Sequence, residues 1–272
     1  MPHSSNTINP ARASFIQDLK GAVGLEALKT LDPNATEVHS PPPATGSTTR
    51  LERYPCTTQK PMPATIAGIT NVAALQVGYG KVIPRWKTGS TKTVNFAAFE
   101  NGYPKPELAF LAATKLKEAA DEWNALKLGI QLNWVYKIED AAFVLSYAKN
   151  DNPAVLAEAF FPNDLDLNVL NVYPAAFEPG AVQYLKNIFL HELGHVLGFR
   201  HEFAPELESD EQSVQIGPRN PTSVMAYEFP PQLQPSDIEN AKTFYQFPGK
   251  YIGQAQGEPK WGLMIVDYDA NN

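Results

Sequence analysis

The sequence predicts a mixed α/β domain of the α+β kind, in which strands and helices pack on one core. Three observations lead there. Short runs rich in β-formers are separated by Asn, Asp and Pro turns. Two longer stretches carry apolar residues at helical spacing. A hydrophobic content of 43% over 272 residues suffices to bury a sizeable core. Cys56 is the single cysteine, so no disulfide can close within the chain and cohesion must come from packing.

The elements follow in order. Residues 1–75 differ in texture from the rest. A short amphipathic stretch, Phe15, Ile16, Leu19, Val23 and Leu28, precedes the run SPPPATGSTTR at 40–50, which reads as loop or linker. These residues are expected to form a separate N-terminal segment, a pro-region or appendage, with the packed domain occupying 76–272. TVNFAAF at 93–99 alternates and reads as a strand. PELAFLAATKLKEAADEWNAL at 106–126 reads as a helix opened by its proline.

Further strands are expected at 131–138, 141–148, 155–161 and 167–173. Beyond Pro179 and Gly180, Val182, Leu185, Ile188, Phe189, Leu193, Val196 and Leu197 form one wide apolar face. That face predicts a centrally buried second helix over AVQYLKNIFLHELGHVLG. SDIENAKTFY at 236–245 has Ser236 and Glu239 three apart, a capping-box spacing, and reads as a third helix. The final WGLMIVDYDANN offers a strand at most.

Charge and hydropathy narrow the function. With 22 basic and 29 acidic residues the net charge is −7, and no Lys/Arg cluster breaks the trend, which argues against a nucleic-acid partner. No stretch reaches 18 uninterrupted apolar residues, and the first residues lack a charged leader followed by an apolar run. Neither a membrane span nor a signal peptide is therefore expected. The compartment stays open between the cytoplasm and export without a leader, and the oligomeric state is not legible.

Three of the chain's five histidines lie in HELGHVLGFRHE, 191–202. On a helix, His191 and His195 share one face about a turn apart, so two imidazoles can meet one ion. Gly198 can adopt positive φ, stop the helix and let the chain reverse, bringing His201 to a third coordination position. Three neutral imidazoles leave a tetrahedral zinc with one open site, as in catalytic rather than structural centres. Water there becomes acidic, and Glu192, next to the first histidine, is placed to take its proton and return it to a leaving amine. Satisfied core histidines would explain a bare HExxH, but not the longer HExxHxxGxxH.

The extended pattern resembles the zinc signature of the metzincin metallopeptidases. That resemblance implies a zincin-like fold, a mixed twisted sheet backed by helices with an upper subdomain to about residue 200 and a smaller C-terminal subdomain after it. It also implies Zn2+ as cofactor, a protein or peptide substrate, and a methionine-bearing turn beneath the metal. SVMAY at 223–227 is similar to that turn and puts Met225 there. Tyr227 resembles the tyrosine of astacin-like and serralysin-like members, an additional zinc ligand that swings away to stabilise the oxyanion; a tyrosine simply lining the pocket is the alternative. Glu202 looks astacin-like, where its counterpart is structural. The stretch 155–162 and the last helix look matrixin-like, so the subfamily stays open.

Cys56 in RYPCTTQ admits two readings, a thiolate occupying the zinc in a latent form or an ordinary free thiol, and its neighbours do not match the matrixin switch motif. Asp140, Asp151, Asp164 and Asp166 lack dense calcium-ligand spacing and read as turn residues. His3 and His39 read as solvent-exposed. The expected activity is zinc-dependent endopeptidase cleavage. The competing expectation is a zinc-containing binding or inhibitory protein without turnover, against which an intact Glu192 counts.

Overall fold

The β-rich runs in the middle of the chain assemble into a sheet whose core strands are almost continuously apolar. In the computed structural model, residues 14, 16–17, 28–35, 76–77, 82–149, 152–202, 213–253 and 262–270 are described. Their elements run β1 (Gln76–Val77), β2 (Val82–Trp86), β3 (Phe96–Ala98), α1 (Pro106–Asn124), β4 (Phe143–Tyr147), β5 (Ala157–Glu158), β6 (Asn168–Val172), α2 (Leu185–Val196), β7 (Phe199–Arg200), β8 (Val214–Gln215), α3 (Pro235–Gln246), β9 (Tyr251–Ile252) and β10 (Leu263–Tyr268). The result is a mixed α/β architecture.

The largest sheet has the order β3-β4-β6-β5. β3, β4 and β6 are parallel, whereas β5 runs antiparallel along β6 and forms an edge. β4 is buried from Phe143 to Ser146, as expected of a central parallel strand covered on both faces. Helix α1 buries a stripe of small residues, Ala109, Ala112, Ala113, Ala119 and Ala120, together with Leu116 and Trp123. Alanines let a second helix approach closely, and α2 packs directly against α1.

Two smaller sheets complete the frame. β1 lies between β7 and β8, antiparallel to both. β10 joins β2 in parallel and β9 in antiparallel register, so the last described strand returns to the beginning of the packed domain. Arg85 locks that return. Its Nε donates to Asp267 Oδ1 at 2.7 Å and its Nη1 to the Phe244 carbonyl at 2.8 Å, tying β2 to β10 and to the end of α3.

Several local expectations shift. The 131–138 run pairs only from Gln131 to Val135, through the parallel bridges Thr93↔Gln131 and Phe96↔Trp134 and backbone bonds such as Val94 N–H to the Gln131 carbonyl and Phe96 N–H to the Asn133 carbonyl. Leu132 directs its groups away from that edge, where Asn124, at the end of α1, accepts from the Leu132 amide and donates to the Leu132 carbonyl. The second helix begins at Leu185 after a 3-10 turn, Val182–Tyr184. At α3 the box residue is Asp237 rather than Glu239: its carboxylate accepts from the Gln234 amide at 2.9 Å.

Residues 28–31 also join the fold. Thr30 bridges Phe99 in antiparallel fashion, the Leu31 amide donates to Ala98, and Ile16 and Leu28 pack on a small cluster of Ala97, Phe99, Ala141, Val144 and Leu167. Among the described residues no helix is long and apolar enough to cross a membrane.

Candidate metal centre

Helix α2 is apolar on most of its surface, yet it buries two imidazoles and a carboxylate in mid-course: His191, Glu192 and His195 all have 0% exposure. The helix ends at Val196, and Gly198 reverses the chain at φ +93°. A Cβ at 198 would also stand 2.5 Å from the Pro84 carbonyl, so both backbone angle and space demand glycine. Carbonyls left open at the helix end receive side-chain donors from other elements. Trp86 Nε1 donates to Val196 at 2.7 Å and the Tyr245 hydroxyl to Leu197 at 2.8 Å. β7 then carries the chain one step to His201, 3% exposed.

The ligand-capable atoms of His191, His195 and His201 lie within 4.8 Å of one another. Among the described residues these form the one group of three or more His, Cys, Asp or Glu side chains close enough to share an ion. Their protonation follows from the surroundings. His191 Nδ1 is 2.8 Å from the Val224 carbonyl and His195 Nδ1 is 2.8 Å from the Phe199 carbonyl. A carbonyl only accepts, so each Nδ1 carries the proton and each neutral Nε2 offers a lone pair.

His195 Nε2 and His201 Nε2 stand 3.2 Å apart. Two nitrogens bound to one tetrahedral zinc are separated by roughly 3.3 Å, so the spacing fits a shared ion. Burial first, then the neighbouring His195 and His201, hold the His191 pKa well below the usual imidazole value, keeping it in the neutral, ligating form. The donor set and its tautomers therefore fit a divalent metal, and the geometry by itself does not say which.

Packed against α2, Met225 is 0% exposed. A Cβ on Gly194 would stand 2.3 Å from Met225 Sδ, so the methionine fills the notch that this glycine leaves in α2. The turn bearing Met225 is gripped by two buried carboxylates. Glu202 Oε1 accepts from the Asn220 amide at 2.7 Å, while the Glu202 amide donates to the Met225 carbonyl at 2.9 Å. Asp237 Oδ2 accepts from the Val224 amide at 2.8 Å. Burial pushes the Glu202 carboxyl up to about 7 and Asp237 helps raise it, against hydrogen bonds from Asn220 and Ser223 and the charge of Arg219. Tyr227, half-buried, lies with its ring centroid 4.9 Å from that of His201. Phe161, from the stretch after β5, meets His195 edge-on at 5.6 Å.

Of the residues singled out from sequence, His191, Glu192, His195, Gly198, His201, Met225 and Tyr227 gather here. Cys56, Asp151, His3 and His39 lie outside the described residues. Gly194 and Asp237 were not anticipated as parts of the site. A glycine inside a buried helix was a legible sign of close packing, whereas nothing local marks Asp237. Comparison of the sequence with protein-family models and with curated proteins finds no match to either, so function is argued from the site.

Proposed function

We propose that the chain is a zinc-dependent endopeptidase with a zincin-like fold, in which His191, His195 and His201 hold the metal. The observation that carries the reading is the convergence of three buried imidazoles, two with Nδ1 fixed on carbonyls, beside the fully buried Glu192. A site built only to staple the fold would ordinarily close with a fourth protein ligand, and three histidines leave room for a reactant. Zinc, when bound, supplies Lewis-acid polarisation of a carbonyl and lowers the pKa of water toward about 7.

The chain's own residues account for the rest. Glu192 receives the proton of the attacking water and delivers it to the departing amine, so one carboxylate serves as base and then acid. Its location in a water-poor core strengthens that interaction. Tyr227, beside His201, donates its phenolic proton to the oxygen on which negative charge grows. An extended peptide pairs along β5, the antiparallel edge of the main sheet, whose following residues lead to Phe161 against His195.

The test is cleavage of an unfolded polypeptide by the purified chain, its loss on chelation and its return with zinc. Glu192→Ala is expected to retain zinc and lose about 10²–10⁴-fold in turnover. Undiminished cleavage by that variant would overturn the mechanism, and zinc uptake without any cleavage by the unaltered chain would favour the binding-protein alternative.

A further inference from the structure

We propose that Asp237, on α3 and remote in sequence from the signature helix, is a positioning residue for the metal centre. Its route is the Val224 backbone: the Asp237 carboxylate holds the Val224 N–H, and the Val224 carbonyl holds His191 Nδ1. The inference rests on the metal-site reading and concerns how His191 is aimed rather than which residues bind.

The two hydrogen bonds bracket one α-carbon. On its N-terminal side the Val224 amide donates to Asp237 Oδ2 at 2.8 Å; on its C-terminal side the Val224 carbonyl receives His191 Nδ1–H at 2.8 Å. With both peptide groups tied, neither backbone dihedral of Val224 can relax without breaking one bond. The same Oδ2 takes the Gln234 amide at 2.9 Å at the start of α3, which fixes the carboxylate against a rigid helix end. Asp237 is 1% exposed and Val224 0%, so no water competes freely for either contact. Ser223 also hydrogen-bonds through its side chain to Asp237, and its hydroxyl accepts from the Met225 amide at 3.1 Å. The turn's register is thus set from α3.

Groups that orient a histidine ligand through its second nitrogen typically govern metal affinity by about 10–100-fold. Asp237 acts one bond further out, so its removal should sit at the lower end of that range. A purely structural residue would lower the unfolding midpoint of the metal-free chain and leave the metal affinity of the folded protein unchanged.

The experiment is zinc titration of the full chain against a chromogenic chelator, comparing Asp237→Ala and Asp237→Asn with the unaltered protein, each shown folded by circular dichroism. Asp237→Ala is expected to weaken zinc binding about ten-fold. Asp237→Asn, whose amide oxygen still accepts both N–H groups, should stay within about three-fold of the unaltered chain. If the alanine variant does not fold, Asp237→Glu, which displaces the acceptor by a methylene, is read in its place with the same expected weakening. Unchanged affinity in the folded alanine or glutamate variant overturns the proposal. So does an asparagine variant as weak as alanine, because the effect would then belong to charge. An unaltered chain that takes up no zinc removes this inference together with the proposed function, whereas zinc bound equally by all variants removes this inference alone.

Discussion

Glycine performs two separate tasks around the imidazole cluster, and magnitudes separate them. At Gly198 a side chain meets both a left-handed backbone, φ +93°, and the Pro84 carbonyl, 2.5 Å from where a Cβ would be. At Gly194 the backbone is helical, and alanine would gain about 1 kcal/mol of helix propensity against roughly 1–3 kcal/mol of overpacking on Met225. Gly198→Ala is therefore expected to destabilise by about 2 kcal/mol or more and Gly194→Ala by less, measured by urea unfolding. The reverse ranking would contradict the combined backbone and steric demand described for Gly198. Asp237 sets a pH dependence. Burial raises its pKa above 3.8, opposed by the Val224 and Gln234 amides and by Ser223, so between the unfolded and folded values the folded chain binds more protons. Its contribution to stability is full below the unfolded pKa and declines as pH rises through the folded one. Asp237→Asn keeps an acceptor without the charge, so its unfolding midpoint, relative to the unaltered chain, should be higher at neutral pH than near pH 4. A difference independent of pH would refute the buried-charge argument.

Helix α2 shows how an element is completed by its neighbours. Its last carbonyls are received by Trp86 from β2 and Tyr245 from α3, which couples the helix end to both flanks of the domain. Tyr245→Phe leaves the buried Leu197 carbonyl without that donor and should cost about 1–2 kcal/mol in a denaturant titration; no loss would show that the bond does not anchor the helix. What was legible here depended on range. The His191 and His195 pairing could be read because i, i+4 spacing is local geometry. The glycine reversal could be read because a residue type signals a backbone angle. The strands of the main sheet were legible from apolar runs bounded by turn residues. The extent of the 131–138 strand was not, since its pairing stops at Val135 according to what the neighbouring 92–96 stretch offers. Asp237 was hidden for the same reason: the box at α3 was placed on Ser236 and Glu239, while the carboxylate reaching back to the Val224 turn is fixed only by the tertiary fold.

For the whole molecule, the sequence reads residues 1–75 as a segment separate from the packed domain. Residues 28–31, within that segment, are nevertheless tied to the packed domain. Thr30 bridges Phe99, the Glu100 amide donates to Lys29, and Leu28 packs on the small apolar cluster beside β3. Deleting residues 1–75 is therefore expected to lower stability by about 2 kcal/mol or more, because it uncovers an apolar strip and an edge of the main sheet. An unfolding midpoint equal to that of the full chain would return these residues to the status of a detachable appendage. The long return of β10 to β2, clamped by Arg85, joins the two ends of the packed domain around α2 and the site it carries. All of this architecture bears on one claim, that three imidazoles converge on a single divalent ion. Anomalous diffraction at the zinc absorption edge, from crystals grown with zinc, tests it most directly. The account predicts one strong peak about 2.0–2.1 Å from a ring nitrogen of each of His191, His195 and His201. A peak lacking His201, or none at this site, would contradict it.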